Sequence, residues 1–262
     1  MKITLFTANQ KRHNYLVNLL SNYCDELFVI QECGTIFPGI IPGHYSASDT
    51  MKNYFEKVND VQTKLFGNSY VNNSSKNIKV LPILSGDLNK CSLSFLSDFL
   101  KSDIYVVFGS SYIKGELIDY LVKQKAINIH MGVSPYYRGT DCNFWASYDD
   151  NPHLVGATIH MLSKGLDSGP MLYHAMSNIK SNPFEYTMST AKSAFHSIAK
   201  RIKDKSIFEI EPVAQDKSKE IRYSKKVEFN EEAVNKYFLK NIDLNSKKFD
   251  NTLLKDPYFL NI

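Results

Sequence analysis

Along the first half of the chain, apolar positions switch between a period of two and a period near four. Residues 2–8 (KITLFTA), 26–31 (ELFVIQ), 78–84 (IKVLPIL), 103–108 (DIYVVF) and 126–130 (AINIH) are short β-rich runs. Between them lie stretches at helical spacing: 14–20, 48–66 (where Met51, Phe55, Val58 and Leu65 recur), 91–100 and 113–122. Residues 33–42 carry Gly and Pro and read as loop, and the polar run 71–77 (VNNSSKN) breaks structure. DIYVVF is almost wholly apolar, as a central parallel strand buried on both faces requires. Strands alternating with helices at this spacing predict a doubly wound, mainly parallel α/β sheet.

After His130 the pattern changes. A loop with Pro135 and Gly139 leads to an aromatic helix over 143–148. Two strand-like runs follow, 154–162 and 170–176, expected as antiparallel additions to the sheet. Asn182 then has the character of a helix cap, with Pro183 at the first helical position and Glu185 at the third. Phe184, Met188, Ala191, Phe195, Ile198 and Ile202 follow as a core-facing stripe. From about residue 203 the composition shifts toward Lys, Asn and Asp, yet Tyr237, Phe238, Leu239 and the final PYFLNI remain apolar. The expected organisation is one domain over 1–205 and a short C-terminal appendage over 206–262. That appendage is expected to fold against the domain or a second subunit.

Composition narrows the class. The chain has 262 residues, 43% hydrophobic and 22% charged, enough to bury a core unaided. A net charge of +4, from 31 basic and 27 acidic side chains, is a mild excess. It argues against a nucleic-acid partner and leaves room for an acidic small substrate. The apolar runs fall short of the ~20 residues that span a bilayer, and the first is too short for a secretory signal. A cytoplasmic protein with no membrane partner is expected. Cys24, Cys33, Cys91 and Cys142 form no C-x-x-C pair and lie near no histidine pair at zinc-ligand spacing, so no metal is expected.

Candidate chemistry gathers after the fifth strand. In an open parallel sheet, ligands bind beyond the carboxyl ends of the strands. Asn128 and His130 are two residues apart and share one side of that strand, with Ile129 on the other. An amide donor and an imidazole converging there would stabilise an oxyanion. A strand-ending Asn and a satisfied core His fit the same pattern. Residues 130–139 (HMGVSPYYRG) form a tight loop, and thirty-seven residues after His130 the segment GLDSGP sets Asp167 among glycines.

INIHMGVSPYYRG followed by KGLDSGPML resembles the folate-dependent formyltransferase family. That family carries an Asn-x-His at a strand end, a Ser-Leu-Leu-Pro-like loop, an Arg-Gly, and then a Gly-x-Asp-Thr/Ser-Gly loop. Asn128, His130 and Asp167 match its catalytic triad, and Pro135, Arg138 and Gly139 also match. Gly132, Val133 and Ser134 depart from it. The resemblance covers about 103–176. It implies a Rossmann-like core and transfer of a formyl group from 10-formyl-tetrahydrofolate to a primary amine, without a metal. Asn128 and a protonated His130 would donate to the oxyanion, each contact worth roughly 3 kcal/mol. Asp167 would raise the pKa of His130 and help deprotonate the amine. By resemblance, the folate site comprises Phe108, Gly109, Ser110 and Tyr112 after the fourth strand, and Leu162, Ser163, Lys164 and Gly165 before the aspartate. Core packing is an equal reading of Phe108 and Tyr112.

The acceptor is read by comparison within the family. The first strand is followed by TANQKRHN, without the glycine-rich phosphate turn of glycinamide ribonucleotide transformylases. The C-terminal ~57 residues are too few and too weakly basic for the tRNA-binding barrel of methionyl-tRNA formyltransferases. A nucleotide-linked amino sugar, destined for a surface polysaccharide, fits the length. Arg12, His13 and Arg138 are candidates for its diphosphate, and Tyr136 and Trp145 for stacking. Arg138 fits a loop-fixing salt bridge equally, and the rings fit core packing. A non-catalytic relative of the fold is the contrasting reading. Family resemblance points to a homodimer, as does the apolar appendage, since exposed Tyr237, Phe238 and the final PYFLNI would otherwise make a sizeable apolar patch.

Overall fold

A computed structural model describes residues 1–34, 48–72, 74–240, 242 and 256–260. Five parallel strands build the first half of the sheet: β1 (Lys2–Ala8), β2 (Glu26–Cys33), β3 (Ile78–Leu84), β4 (Ile104–Phe108) and β5 (Ile127–His130). β2 continues to Cys33, two residues beyond the expected run, and most of the loop expected over 33–42 lies outside the described residues. β3 carries Pro82, which has no N–H for a ladder, and it is the edge strand. Beyond β5 come β7 (Ala157–Met161), β8 (Met171–Ser177) and β10 (Tyr258–Leu260). The order is β10-β8-β7-β5-β4-β1-β2-β3. β7 runs against both its neighbours, while β10 lies parallel to β8.

Side chains alternate across this sheet as the pleat dictates. Ile3, Leu5, Ile104, Val106, Ile127 and Ile129 face α1 (Lys11–Ser21) and α6 (Pro183–Lys203). Phe6, Tyr105 and Val107 face α4 (Gly115–Lys123) on the other side. The α6 stripe behaves as its spacing predicts, with Ala191, Phe195, Ile198 and Ile202 almost wholly buried. Asn182 caps it by accepting from the N–H groups of Phe184 and Glu185.

One expectation is corrected. Residues 91–100 form no continuous helix: a 3-10 turn at Leu88–Lys90, the four-residue α3 (Leu93–Leu96) and a 3-10 turn at Ser97–Phe99 take its place. Serine hydroxyls compete with helix bonds there, Ser92 accepting from Phe95 N–H and pairing with Ser94. The helix expected over 48–66 is α2 (Asp49–Phe66). Only Gln62 and Phe66 of it are buried, and Met51, Tyr54, Phe55 and Val58 line a cavity.

The C-terminal segment, expected to fold against the domain or a second subunit, packs on the core of its own chain. It wraps the core: β9 (Arg222–Ser224) pairs with β6 (Tyr137–Gly139), and α7 (Glu231–Leu239) packs on α5 (Cys142–Tyr148). Tyr237 is buried, stacked 4.6 Å from Phe144, and Phe238 is half-buried. These rings are covered by their own chain, while Phe259 of the final run is 45% exposed. Arg222 forks onto Asp149 at 2.8 and 2.9 Å and lies 4.3 Å from the Trp145 ring.

Candidate active site

The site forms where β5, β7 and the β7–β8 loop meet. Asn128 and His130 end β5. The antiparallel register of β7 sets His160 opposite Asn128 and Thr158 opposite His130. Asp167 reaches them from the loop with a positive φ of 46°, a conformation Asp tolerates better than most residues. Its Oδ2 lies 3.3 Å from His130 Nδ1, and its Oδ1 accepts from Asn128 Nδ2 at 3.3 Å. The three residues singled out by motif therefore converge in one cluster.

Two loops are held in place around it. Ser134 N–H donates to Thr158 Oγ1 at 2.8 Å, Thr158 donates to the Gly132 carbonyl at 2.6 Å, and His174 Nε2 meets the Ser134 carbonyl at 2.9 Å. The Asp167 loop is gripped by Arg138, which donates to the Leu166 carbonyl at 2.9 Å. Gln215 donates to the Asp167 and Gly169 carbonyls at 2.8 Å. Gly139 has φ 96°, and a Cβ there would run into the Ser224 carbonyl. Only glycine lets β6 and β9 approach so closely.

The electrostatics reverse one expectation. Burial lowers the pKa of His130 more than the Asp167 carboxylate raises it, and His160 and Arg138 add to the lowering. The net direction is down, not up, although the Tyr137 carbonyl, 3.1 Å from Nε2, opposes the lowering as Asp167 does. For Asp167, burial pushes the pKa up, but the imidazoles of His130 and His160 and the Gly139 N–H outweigh it. Asp167 is ionised.

A cavity of about 750 Å³ opens beside His130. Its walls include Arg12, Tyr54, Asp141, Lys226 and Phe229. Arg12 donates to Gln62 at 2.8 Å, and burial brings its guanidinium down to about 10 despite Asp141 nearby. The other proposed substrate residues are not among its lining residues. His13 is buried against Phe108, ring centroids 4.8 Å apart. Trp145 is 3% exposed beneath Arg222. The Tyr136 carbonyl accepts from Ile221 and Arg222 N–H. Arg138 is spent on Glu220 at 2.9 Å and on Leu166, the loop-fixing role. Tyr54, Lys226 and Phe229 went unremarked in the sequence because they come from α2 and the appendage, far from any motif.

The folate-side segments do come together. Tyr112 Oη donates to the Lys164 carbonyl at 2.5 Å, and Lys164 Nζ pairs with Asp119. Gly109 has φ 66°, and Ser163 Oγ donates to the Gly165 carbonyl at 3.1 Å. Leu162 packs partly on the α4-side core. Ser110 Oγ bonds within the loop. Phe108 is core: it is 3% exposed and meets Phe195 edge-on at 4.8 Å. Among the described residues no group of three or more His, Cys, Asp or Glu could hold a metal ion. Among them, too, no helix is long and apolar enough to cross a membrane.

The Asn128, His130 and Asp167 cluster thus sits beside the end of β5 in a doubly wound sheet. Residues 97–205 match the family model described as formyl transferase. Through this segment the chain is similar to the formyltransferases. A methionyl-tRNA formyltransferase of Trichodesmium erythraeum is 29% identical over 123 residues, 45% of this chain and 35% of that protein. The chain thus matches about a third of that relative's length.

Solved structures share the fold. The formyltransferase PseJ from Anoxybacillus kamchatkensis, in complex with UDP-4,6-dideoxy-4-formamido-L-AltNAc and tetrahydrofolate, covers 93% of each chain at 20% identity and a TM-score of 0.52. An N-formyltransferase from Helicobacter canadensis, with folinic acid and dTDP-3-aminofucose, covers 90% of this chain and 79% of its own at 14% identity and a TM-score of 0.54.

Proposed function

We propose that the protein transfers a formyl group from 10-formyl-tetrahydrofolate to the primary amine of a nucleotide-linked amino sugar. The observation that carries this reading is the Asn128–His130–Asp167 cluster, whose His130 lines a cavity that Arg12 also lines. The two solved structures above, whose ligands are a folate and a nucleotide-linked sugar, support the acceptor class.

The folate-side residues fit such a co-substrate. Tyr112 and Lys164 join two loops beside the triad, and none of Gly109–Tyr112 or Leu162–Gly165 lines the cavity, so folate and acceptor have separate approaches. When bound, the folate supplies an electrophilic formyl carbon. Asn128 then donates to the charge developing on the formyl oxygen, giving up its longer bond to Asp167. His130, its Nδ1 toward Asp167, would take the proton the amine loses on attack at Nε2, giving up the contact to the Tyr137 carbonyl, and return it to the folate nitrogen as the bond from that nitrogen to the formyl carbon breaks. Asp167, ionised 3.3 Å from Nδ1, stabilises the imidazolium so formed. Arg12 and Lys226 supply positive charge to an anionic acceptor.

The test is incubation with 10-formyl-tetrahydrofolate and a panel of UDP-, dTDP- and GDP-linked amino sugars beside glycinamide ribonucleotide, with products read by mass spectrometry. Formylated nucleotide sugar is the expected product. Product from glycinamide ribonucleotide alone would overturn the acceptor, and no formyl transfer to any amine would overturn the reaction.

A further inference from the structure

Glu32, the penultimate residue of β2, is 3% exposed, and no Lys, Arg or His among the described residues forms an ion pair with it. A carboxylate taken out of water without a cation is costly unless hydrogen bonds hold it. Three do. Gly86 N–H, in the turn after β3, donates to Oε1 at 2.8 Å. Ser111 N–H donates to Oε2 at 2.5 Å, and Ser111 Oγ donates to Oε1 at 2.8 Å. Two of the three come from one residue of the β4–α4 loop, whose next residue, Tyr112, is bonded to Lys164.

The consequence is directional. In a trans peptide, the carbonyl of Ser110 points opposite to the N–H of Ser111. By drawing that N–H inward, Glu32 turns the Ser110 carbonyl away from the protein interior. Gly109, at φ 66°, makes the bend that lets the loop follow.

We propose that Glu32 is a positioning residue: its buried carboxylate fixes the 109–112 loop so that the Ser110 carbonyl is presented to the hydrogen-bond-donor edge of a flat heterocycle bound there. This rests on the folate reading above, in which that heterocycle is the pterin. Glu32 touches neither co-substrate nor acceptor. It acts through Ser111.

Glu32→Gln keeps the volume and removes the charge, and Ser111→Ala removes only the hydroxyl bond. Hydrogen exchange of the unliganded protein reads the loop itself. Amide exchange over 109–112 should quicken about ten-fold in Glu32→Gln, while the α6 core stays protected. The folate KM should rise about ten-fold in Glu32→Gln and less in Ser111→Ala, with the acceptor KM unchanged. Titration with folinic acid should show the same order without turnover. Unchanged exchange over 109–112 in both variants, or both KM values rising together, would overturn the proposal. Should Glu32→Gln fail to fold, an unaltered folate KM in Ser111→Ala overturns it. A wild type that binds no folinic acid sinks the folate reading instead, and the exchange result then still decides whether Glu32 holds the loop.

Discussion

His160 Nε2 accepts the side-chain amide of Asn128 at 3.0 Å, while its own Nδ1 meets the Met161 carbonyl at 2.8 Å. The second contact puts the ring hydrogen on Nδ1 and leaves Nε2 as the acceptor. The amide of Asn128 is thereby aimed with its nitrogen toward His160 and Asp167. His160→Ala should free that amide to rotate and lower kcat about a hundred-fold, the scale of a 1 Å misplacement. KM for either substrate should stay within about two-fold. Steady-state kinetics with each substrate varied in turn would check it. An undiminished kcat removes His160 from this role.

Gly132 sits under the His130 ring. A Cβ there would lie 2.5 Å from His130 Nε2 and 2.6 Å from Cys142 Cβ. Gly132→Ala should therefore displace His130, lowering kcat about a hundred-fold while costing only about 1–3 kcal/mol of stability. Parallel kinetics and thermal unfolding separate the two effects.

Arg138 separates a loop anchor from a phosphate ligand. Its contacts are Glu220 and the Leu166 carbonyl, one residue before Asp167. Arg138→Ala should lower kcat about ten-fold and leave the acceptor KM unchanged, and Arg138→Lys should restore little, since an ammonium cannot fork between the two partners. A large rise in acceptor KM with intact kcat would return Arg138 to the diphosphate.

Two buried histidines make the fold sensitive to acid. Burial brings His174 down to about 4, the Ser134 carbonyl opposing, and His130 also lies below its ordinary value. In the unfolded chain both titrate near 6.5. As pH falls from about 6.5 to about 4, the unfolded chain takes up protons that the fold refuses, and stability falls. His174 alone accounts for about 3 kcal/mol across that window. The unfolding temperature should drop between pH 7 and pH 5, and His174→Gln should flatten the slope. Activity should rise with pH through the folded pKa of His130, below 6.5, because the neutral ring is the base. A rate that falls over that interval would show that the protonated ring is required.

The sheet's first five strands and α6 were legible because their apolar periods are long and uninterrupted, and the register of Ile127, Asn128, Ile129 and His130 follows from the pleat alone. Residues 91–100 were not, because clustered serines offer the backbone local partners that periodicity does not weigh. Arg138 was recognised as belonging to the site, yet its use could not be read, since whether a guanidinium meets Glu220 or a phosphate depends on a residue 82 positions away. The same holds for Trp145, whose ring is covered by Arg222.

By itself the sequence determined the alternation that makes a doubly wound sheet, the side of β5 on which Asn128 and His130 fall, and the motif order that brings in Asp167. Those are local properties, carried by the two-residue and near-four-residue periods and by spacing. Only the tertiary structure decided that His160 orients Asn128, that the pKa of His130 goes down, and that Lys226 and Phe229 of the C-terminal segment wall the cavity. Each depends on what surrounds a side chain, and burial and distance are set by the packing of elements far apart in the chain.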